Sequence, residues 1–226
     1  MPRVARASVG GICYHVINRG NARATIFHAP GDFRAFLTAV AEAVERTDPR
    51  IIGYCVMPNH FHFVLWPRGD GDMSRFMQWL LTAHVRRYHA VHGTSGHLWQ
   101  GRYKAFPIQE DDHLLTVLRY VERNPLRARL VRRAENWAWS SAAGRSDGDG
   151  AAAFLRAGPS ALPSDWIDTV NAVQAATEID RIRASVNRGI PFGDDRWTKR
   201  AAARLGLEAS LRPRGRPRSE KGDSPL

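Results

Sequence analysis

Ile51-Ile-Gly-Tyr-Cys-Val-Met-Pro-Asn-His-Phe-His-Phe-Val-Leu-Trp66 is the stretch on which the fold turns. Ile51 to Val56 is apolar and β-prone and reads as a strand. Pro58-Asn59 interrupts it, and His60 to Trp66 resumes it. Residues two apart on a strand point to the same face. His60 and His62 therefore present two imidazoles side by side, while Phe61 and Phe63 turn to the core.

The flanking sequence supplies the layers. Upstream, Ile12 to Ile17 is a short β-rich run that ends at the turn signal Asn18-Arg-Gly-Asn21. Asp32 to Arg46 keeps Phe33, Phe36, Leu37, Val40 and Val44 at helical spacing, with Asp32 placed to cap. Downstream, Met73 to Tyr88 is a second amphipathic helix, and His92 to Lys104 a Gly- and aromatic-rich connection. Asp111 and Asp112 can cap a third helix running to about Arg123, where Asn124-Pro125 stops it. The order strand, helix, strands, helix, loop, helix predicts an α+β fold with helices packed against a sheet. Composition shifts after Trp137-Ala-Trp-Ser-Ser141: residues 144–150 read as a linker, Asp165 to Arg188 as a weaker helical stretch, and Trp197 to Leu207 as one more short helix. Residues 211–226 are rich in Pro, Gly and Arg and read as disordered.

The chain has 226 residues and a net charge of +11, carried by 30 arginines and only three lysines. Two cysteines, Cys13 and Cys55, exclude a disulfide framework and a four-thiolate zinc site. No apolar run approaches the roughly 18–20 residues of a membrane span, and no signal peptide is visible at the N-terminus; an intracellular soluble protein is the expectation. The charge favours a polyanion as partner, and arginine's fork suits phosphates and guanine edges. A GC-rich coding sequence would also raise Arg and Ala. The charge is blocked: residues 1–143 carry 19 basic and 11 acidic side chains, a net of +8. Residues 144–195 are net −3, and residues 196–221 net +7.

Two groups of residues can do chemistry. The paired imidazoles of His60 and His62 suit a divalent cation that keeps positions open for phosphate oxygens, or are simply surface histidines. On the third helix Tyr120 and Asn124 are one turn apart and share a face. A tyrosine hydroxyl is a nucleophile when a metal or base activates it; otherwise Tyr120 is a packing residue. Tyr14 and Tyr54 fall in predicted strands, Tyr88 in an apolar stripe, and Tyr103 in a loop suited to stacking on a base. His84, His89, His92, His97 and His113 have no partner two residues away and read as surface residues.

Five motifs occur in order: Tyr14-His-Val-Ile-Asn-Arg-Gly-Asn21, Met57-Pro-Asn-His-Phe-His62, Gly96-His-Leu-Trp-Gln-Gly-Arg-Tyr-Lys104, Tyr120-Val-Glu-Arg-Asn-Pro125 and Trp137-Ala-Trp-Ser-Ser141. Together they resemble the single-tyrosine transposases of the IS200/IS605 type, which carry a histidine–hydrophobe–histidine motif. Within these the chain is most similar to the REP-associated tyrosine transposases. The resemblance covers residues 10–141 and implies an antiparallel, ferredoxin- or RRM-like endonuclease core with packed helices. With the shift in composition after it, the chain divides into a catalytic domain at 1–143, a linker and helical extension at 144–207, and a disordered basic tail at 208–226. The resemblance makes His60 and His62 ligands of Mg²⁺ or Mn²⁺ and Tyr120 the nucleophile that forms a 5′-phosphotyrosine. Asn124, where the insertion-sequence relatives often have Gln, becomes the third ligand through its amide oxygen. The implied substrate is single-stranded or hairpin DNA.

For DNA contacts the expectation falls on Asn18, Arg19 and Arg23 after the first strand, and on Trp99, Gln100, Arg102, Tyr103 and Lys104, which mix aromatic faces with cations. It falls also on Arg119, Arg123 and Arg127 around the nucleophile, for which a solvated basic face is the competing reading. In the tail, Arg212-Pro-Arg-Gly-Arg-Pro-Arg218 resembles an AT-hook, with Arg214 and Arg216 entering the minor groove of duplex DNA; a merely basic tail is the plain alternative. The expected protein acts in the bacterial cytoplasm, associated with the nucleoid, without a membrane, as monomer or homodimer. A DNA-binding regulator that keeps this fold without cutting, and a metal phosphoesterase that uses water, are the rival functions.

Overall fold

The structure, a computed structural model, describes residues 8–146 and 153–212. Its core is a run of β1 (Cys13–Arg19), α1 (Pro30–Thr47), β2 (Arg50–Met57), β3 (His60–Trp66), α2 (Asp72–His92) and β4 (Lys104–Ile108). The strands form one sheet in the order β2-β3-β1-β4, and every neighbouring pair is antiparallel. This is the expected ferredoxin-like arrangement. After it come α3 (Asp112–Glu122), α4 (Asn124–Arg127), α5 (Ser141–Ser146), α6 (Trp166–Asn171), α7 (Ala176–Arg188), α8 (Asp195–Leu205) and α9 (Glu208–Leu211).

Local chemistry sets the boundaries. Met57 and His60 close the β2–β3 hairpin, so Pro58 and Asn59 are its turn. Pro58 is also a brace, because its carbonyl accepts from the backbone N–H groups of Ile26 and Phe27. At α1 the Asp32 carboxylate accepts from the N–H groups of His28 and Ala29, and Asp111 caps α3 through the N–H of His113. The Asn124-Pro125 pair ends α3 as expected, but one further helical turn, α4, follows at once through Arg123.

Sequence periodicity missed β4. Pro107 sits inside it and marks against a strand. Proline is tolerated there because β4 is an edge: the Pro107 carbonyl faces outward and accepts from the N–H of Phe192.

The sheet is buried on both faces. Phe61 and Phe63 point, as expected, into a core under α1 and α2 with Phe36, Met73 and Phe76. The opposite face carries Val64 and Phe106, packed by Leu114, Leu118 and Val121 of α3 and Trp166 of α6. Gly53 lets α3 approach, since a Cβ there would lie 2.6 Å from Leu118 Cδ2. His84 departs from its surface reading. It is buried among Phe27, Phe36 and Trp99 on the α1/α2 face.

A buried carboxylate ties the second face together. Glu122, at the last turn of α3, is fully buried and accepts from Ser141 Oγ at 2.5 Å, Trp166 Nε1 at 2.7 Å and Arg145 Nε at 2.8 Å. Arg145 goes on to the carbonyl of Ile52. The same segment runs along the free edge of β2, with Val56 N–H donating to the Trp139 carbonyl and Trp137 Nε1 to the Val56 carbonyl.

Two outcomes follow for stability. Removing one member of a buried ion pair strands the other, so Glu122→Gln is expected to lose about 3–5 kcal/mol in urea denaturation. Asp168→Asn, which breaks only the exposed pair with Arg133, should leave the midpoint unchanged. Burial holds the His84 imidazole down at about 4, against an ordinary 6.5. Between those values the unfolded chain binds a proton that the folded chain refuses, so stability falls as pH drops from 6.5 toward 4. His84→Phe should flatten that loss, by up to about 3 kcal/mol at pH 4.

Candidate active site

β1 and β3 lie side by side with Ile17 opposite His62 and Arg19 opposite His60. Strand alternation sends both histidines to the α3 face, where α3 lies across them. The two imidazole centroids are 5.0 Å apart, and the Tyr120 ring stands edge-on to His62 at 5.9 Å. The three side chains share one open cavity of about 580 Å³ with Asn124 and Arg127.

Each imidazole has one nitrogen engaged. Asn59 Oδ1 lies 2.6 Å from His60 Nδ1, and His15 Nε2 lies 2.8 Å from His62 Nδ1. The Nε2 atoms are left as the donors toward the cavity. Burial, with Arg19 and Arg127 nearby, pushes His60 down to about 3. Burial first, then His15 and His60, hold His62 well below the ordinary imidazole value. Both rings are therefore neutral at pH 7, with lone pairs free for a Lewis acid.

Asn124 is buried, and its side-chain nitrogen has no partner. Two imidazole nitrogens at a cavity that Asn124 also lines fit a divalent cation with open positions for oxygen ligands; of the Asn124 amide only the oxygen can ligate, since the unpartnered Nδ2 is a hydrogen-bond donor. Among the described residues no group of three or more His, Cys, Asp or Glu is placed to hold a metal ion, at this cavity or elsewhere.

The cations are concentrated here. Arg19, Arg23, Arg102, Lys104, Arg127 and Arg183 line the cavity, and among the described residues no carboxylate does. The backbone brings them together: Gln100 N–H donates to the Arg19 carbonyl and Asn21 N–H to the Leu98 carbonyl, so the loop before β4 pairs with the end of β1. Asn18 and Gln100 line the same cavity. Arg127 lies with its Cζ 4.1 Å from the centroid of the Tyr120 ring, and one of its Nη atoms is buried without a partner.

A family model described as IS200-like transposase matches residues 8–124. The chain belongs to the IS200-like transposase family. Among solved structures it resembles a REP-associated tyrosine transposase bound to a REP hairpin, with a TM-score of 0.55 and 19% identity over 73% of this chain and 96% of that one. A putative transposase from Deinococcus radiodurans also matches, with a TM-score of 0.37 and 19% identity over 54% of this chain and 96% of that one. A search of curated protein sequences gives no significant match.

In this IS200-like transposase the other four tyrosines are engaged elsewhere. Tyr14 is buried, with its hydroxyl on the backbone of Val9, and Tyr54 is buried; burial pushes both up to about 12. Tyr88 contacts His28, and the Tyr103 hydroxyl meets Ser74 Oγ.

Several expected DNA contacts are placed differently. Trp99 and Tyr103 are 6% and 7% exposed, buried in the α1/α2 core, so neither offers a face to a base. Arg119 donates to the carbonyls of Ala172 and Val173, and Arg123 to those of Val170 and Asn171. Both thus cap the C-terminal end of α6, where a cation is favoured. Of the tail, Glu208–Leu211 is the helical turn α9, whereas Arg214 and Arg216 lie outside the described residues.

Arg183 and Asn187 of α7 line the cavity and were not singled out from the sequence. Their one-turn spacing was visible. What placed them was not local: α7 lies against β4 because the chain after it returns through Phe192 to the β4 edge.

The core assignment of Trp99 has a direct check. Trp99→Ala should lower stability by about 3–5 kcal/mol in chemical denaturation, while Arg102→Ala, at an exposed position, should leave the midpoint unchanged.

Proposed function

We propose that this chain is a divalent-metal-dependent DNA strand transferase that cleaves and rejoins single-stranded or hairpin DNA. The observation that carries the reading is the position of Tyr120, edge-on to His62 over a cavity whose charged lining, among the described residues, is cationic. A scissile phosphate is the group such a cavity accommodates: the arginines neutralise its charge and leave its phosphorus within reach of a phenol.

Residues His60, His62 and Asn124 would hold Mg²⁺ or Mn²⁺, which when bound polarises the phosphate as a Lewis acid. The protein's own groups do the rest. Tyr120 gives up its phenolic proton to water in the open cavity, and its Oη bonds to phosphorus. The bond to the 3′ oxygen breaks, and that oxygen takes up a proton. The products are a 5′-phosphotyrosine and a free 3′-hydroxyl. The Arg127 guanidinium over the Tyr120 ring stabilises the developing phenolate. Rejoining reverses the step, so no nucleotide cofactor is required.

The likeness to a transposase bound to a REP hairpin supports a short palindromic hairpin as substrate. Arg19, Arg23, Arg102, Lys104 and Arg183 would track its phosphates, with Arg214 and Arg216 reaching neighbouring duplex. Such an enzyme works in the bacterial cytoplasm at the nucleoid. Among the described residues no helix is long and apolar enough to cross a membrane.

The test is a labelled hairpin with single-stranded flanks, incubated with the protein and Mg²⁺ or Mn²⁺ and run on a denaturing gel. A protein–DNA adduct is expected, lost in Tyr120→Phe and on chelation of the metal. Cleavage without adduct that survives Tyr120→Phe would overturn the reading in favour of hydrolysis, and binding without cleavage in favour of a regulator.

A further inference from the structure

His15 lies outside the histidine–hydrophobe–histidine motif, yet it is completely buried against the site. It sits on β1 two residues before Ile17, the residue opposite His62, and so on the same face of the sheet as Ile17, packed between Phe106 at 4.8 Å and the Tyr120 ring at 6.4 Å. A phenylalanine would suit that slot on packing grounds. An imidazole there buries two polar nitrogens, and Nδ1 of His15 has no partner. Leaving a buried polar atom unpaired is unfavourable. The one bond the ring makes is the 2.8 Å contact from its Nε2 to His62 Nδ1.

A neutral imidazole carries one N–H and one lone pair. His62 can offer the Nε2 lone pair to the cavity only when its proton is on Nδ1, and a buried Nδ1–H needs an acceptor. We propose that His15 Nε2 is that acceptor, making His15 a positioning residue that selects the Nδ1–H tautomer of His62 and fixes its ring. Asn59 Oδ1 serves His60 in the same way. The two ligand rings are thus held by different chemistries. An amide oxygen can only accept, whereas His15 can also donate from Nε2. Donation would force the His62 proton onto Nε2 and close that position to a metal, so the direction of this one hydrogen bond decides whether the second ligand is available. The orientation of metal-binding imidazoles by a partner on the other nitrogen is a general requirement.

The inference rests on the reading of His60 and His62 as metal ligands, and the experiment separates the two. Mn²⁺ affinity is measured by electron paramagnetic resonance on the full chain without DNA, for the unmodified protein, His62→Ala, His15→Phe and His15→Gln. His15→Phe should weaken Mn²⁺ binding about 10–100-fold. Its thermal midpoint and metal-free hairpin binding should stay unchanged, and His15→Gln, which restores an acceptor oxygen, should recover most of the affinity. Unchanged Mn²⁺ affinity in His15→Phe overturns the role of His15 while leaving the metal site standing. Unchanged affinity in His62→Ala removes the metal site and this inference with it. Nitrogen-15 NMR of the Mg²⁺-loaded protein gives a readout without any variant: a proton on His62 Nδ1 is expected, and one on Nε2 overturns the proposal.

Discussion

The buried carboxylate of Glu122 is the constraint on which the second face of this molecule depends. An anion at the C-terminal end of a helix, out of reach of water, is unfavourable on two counts. It is tolerated because three donors from two separate helices, Ser141 and Arg145 of α5 and Trp166 of α6, converge on it. In meeting that requirement the chain joins α3 to β2, α5 and α6. Tyr120 is two residues before Glu122 and Asn124 two after, so the proposed nucleophile and amide stand on a helix end that is clamped from behind.

The sheet separates two tasks. Its α1/α2 face is an aromatic core with buried tryptophan, phenylalanine and one neutral histidine. Its other face holds imidazoles and an amide under a rim of guanidiniums. The hairpin β2–β3 serves both, because alternation along His60-Phe61-His62-Phe63 sends consecutive residues to opposite tasks. Burial keeps the histidines neutral beside the arginines, so lone pairs and a strong positive field coexist within a few residues.

Much of this could be read from the sequence. Period-two and period-3.6 patterns located β1, β2, β3, α1, α2 and α3, and the Pro58-Asn59 turn fixed which histidines are neighbours. What escaped was decided by distant parts of the chain. Lys104–Ile108 is a strand only because its proline faces an edge that Phe192 can serve. Trp99 and Tyr103 combine aromatic rings with neighbouring cations as a base-stacking surface does, but the ring close to Phe61 and His84 is part of a core. Arg119 and Arg123 belong by sequence to the basic surroundings of Tyr120, and a helix about fifty residues later supplies the carbonyls that claim them. The Trp137-Ala-Trp-Ser-Ser141 motif was visible as a family mark, but its physical work, lining an edge strand and donating to Glu122, needed three dimensions.

That edge lining bears on how copies of the molecule can meet. Along β2 the carbonyls of Ile51 and Ile52, the N–H of Tyr54 and both backbone groups of Val56 are taken, by Arg156, Arg145, Ser141, Trp137 and Trp139. At the opposite edge Phe192 holds the Pro107 carbonyl and the Gln109 N–H. A second copy finds no row of unpaired groups at these positions from which to continue the sheet. Continuing the sheet into a second copy is therefore disfavoured at these positions, along β2 and at the Pro107–Gln109 end of β4 alike.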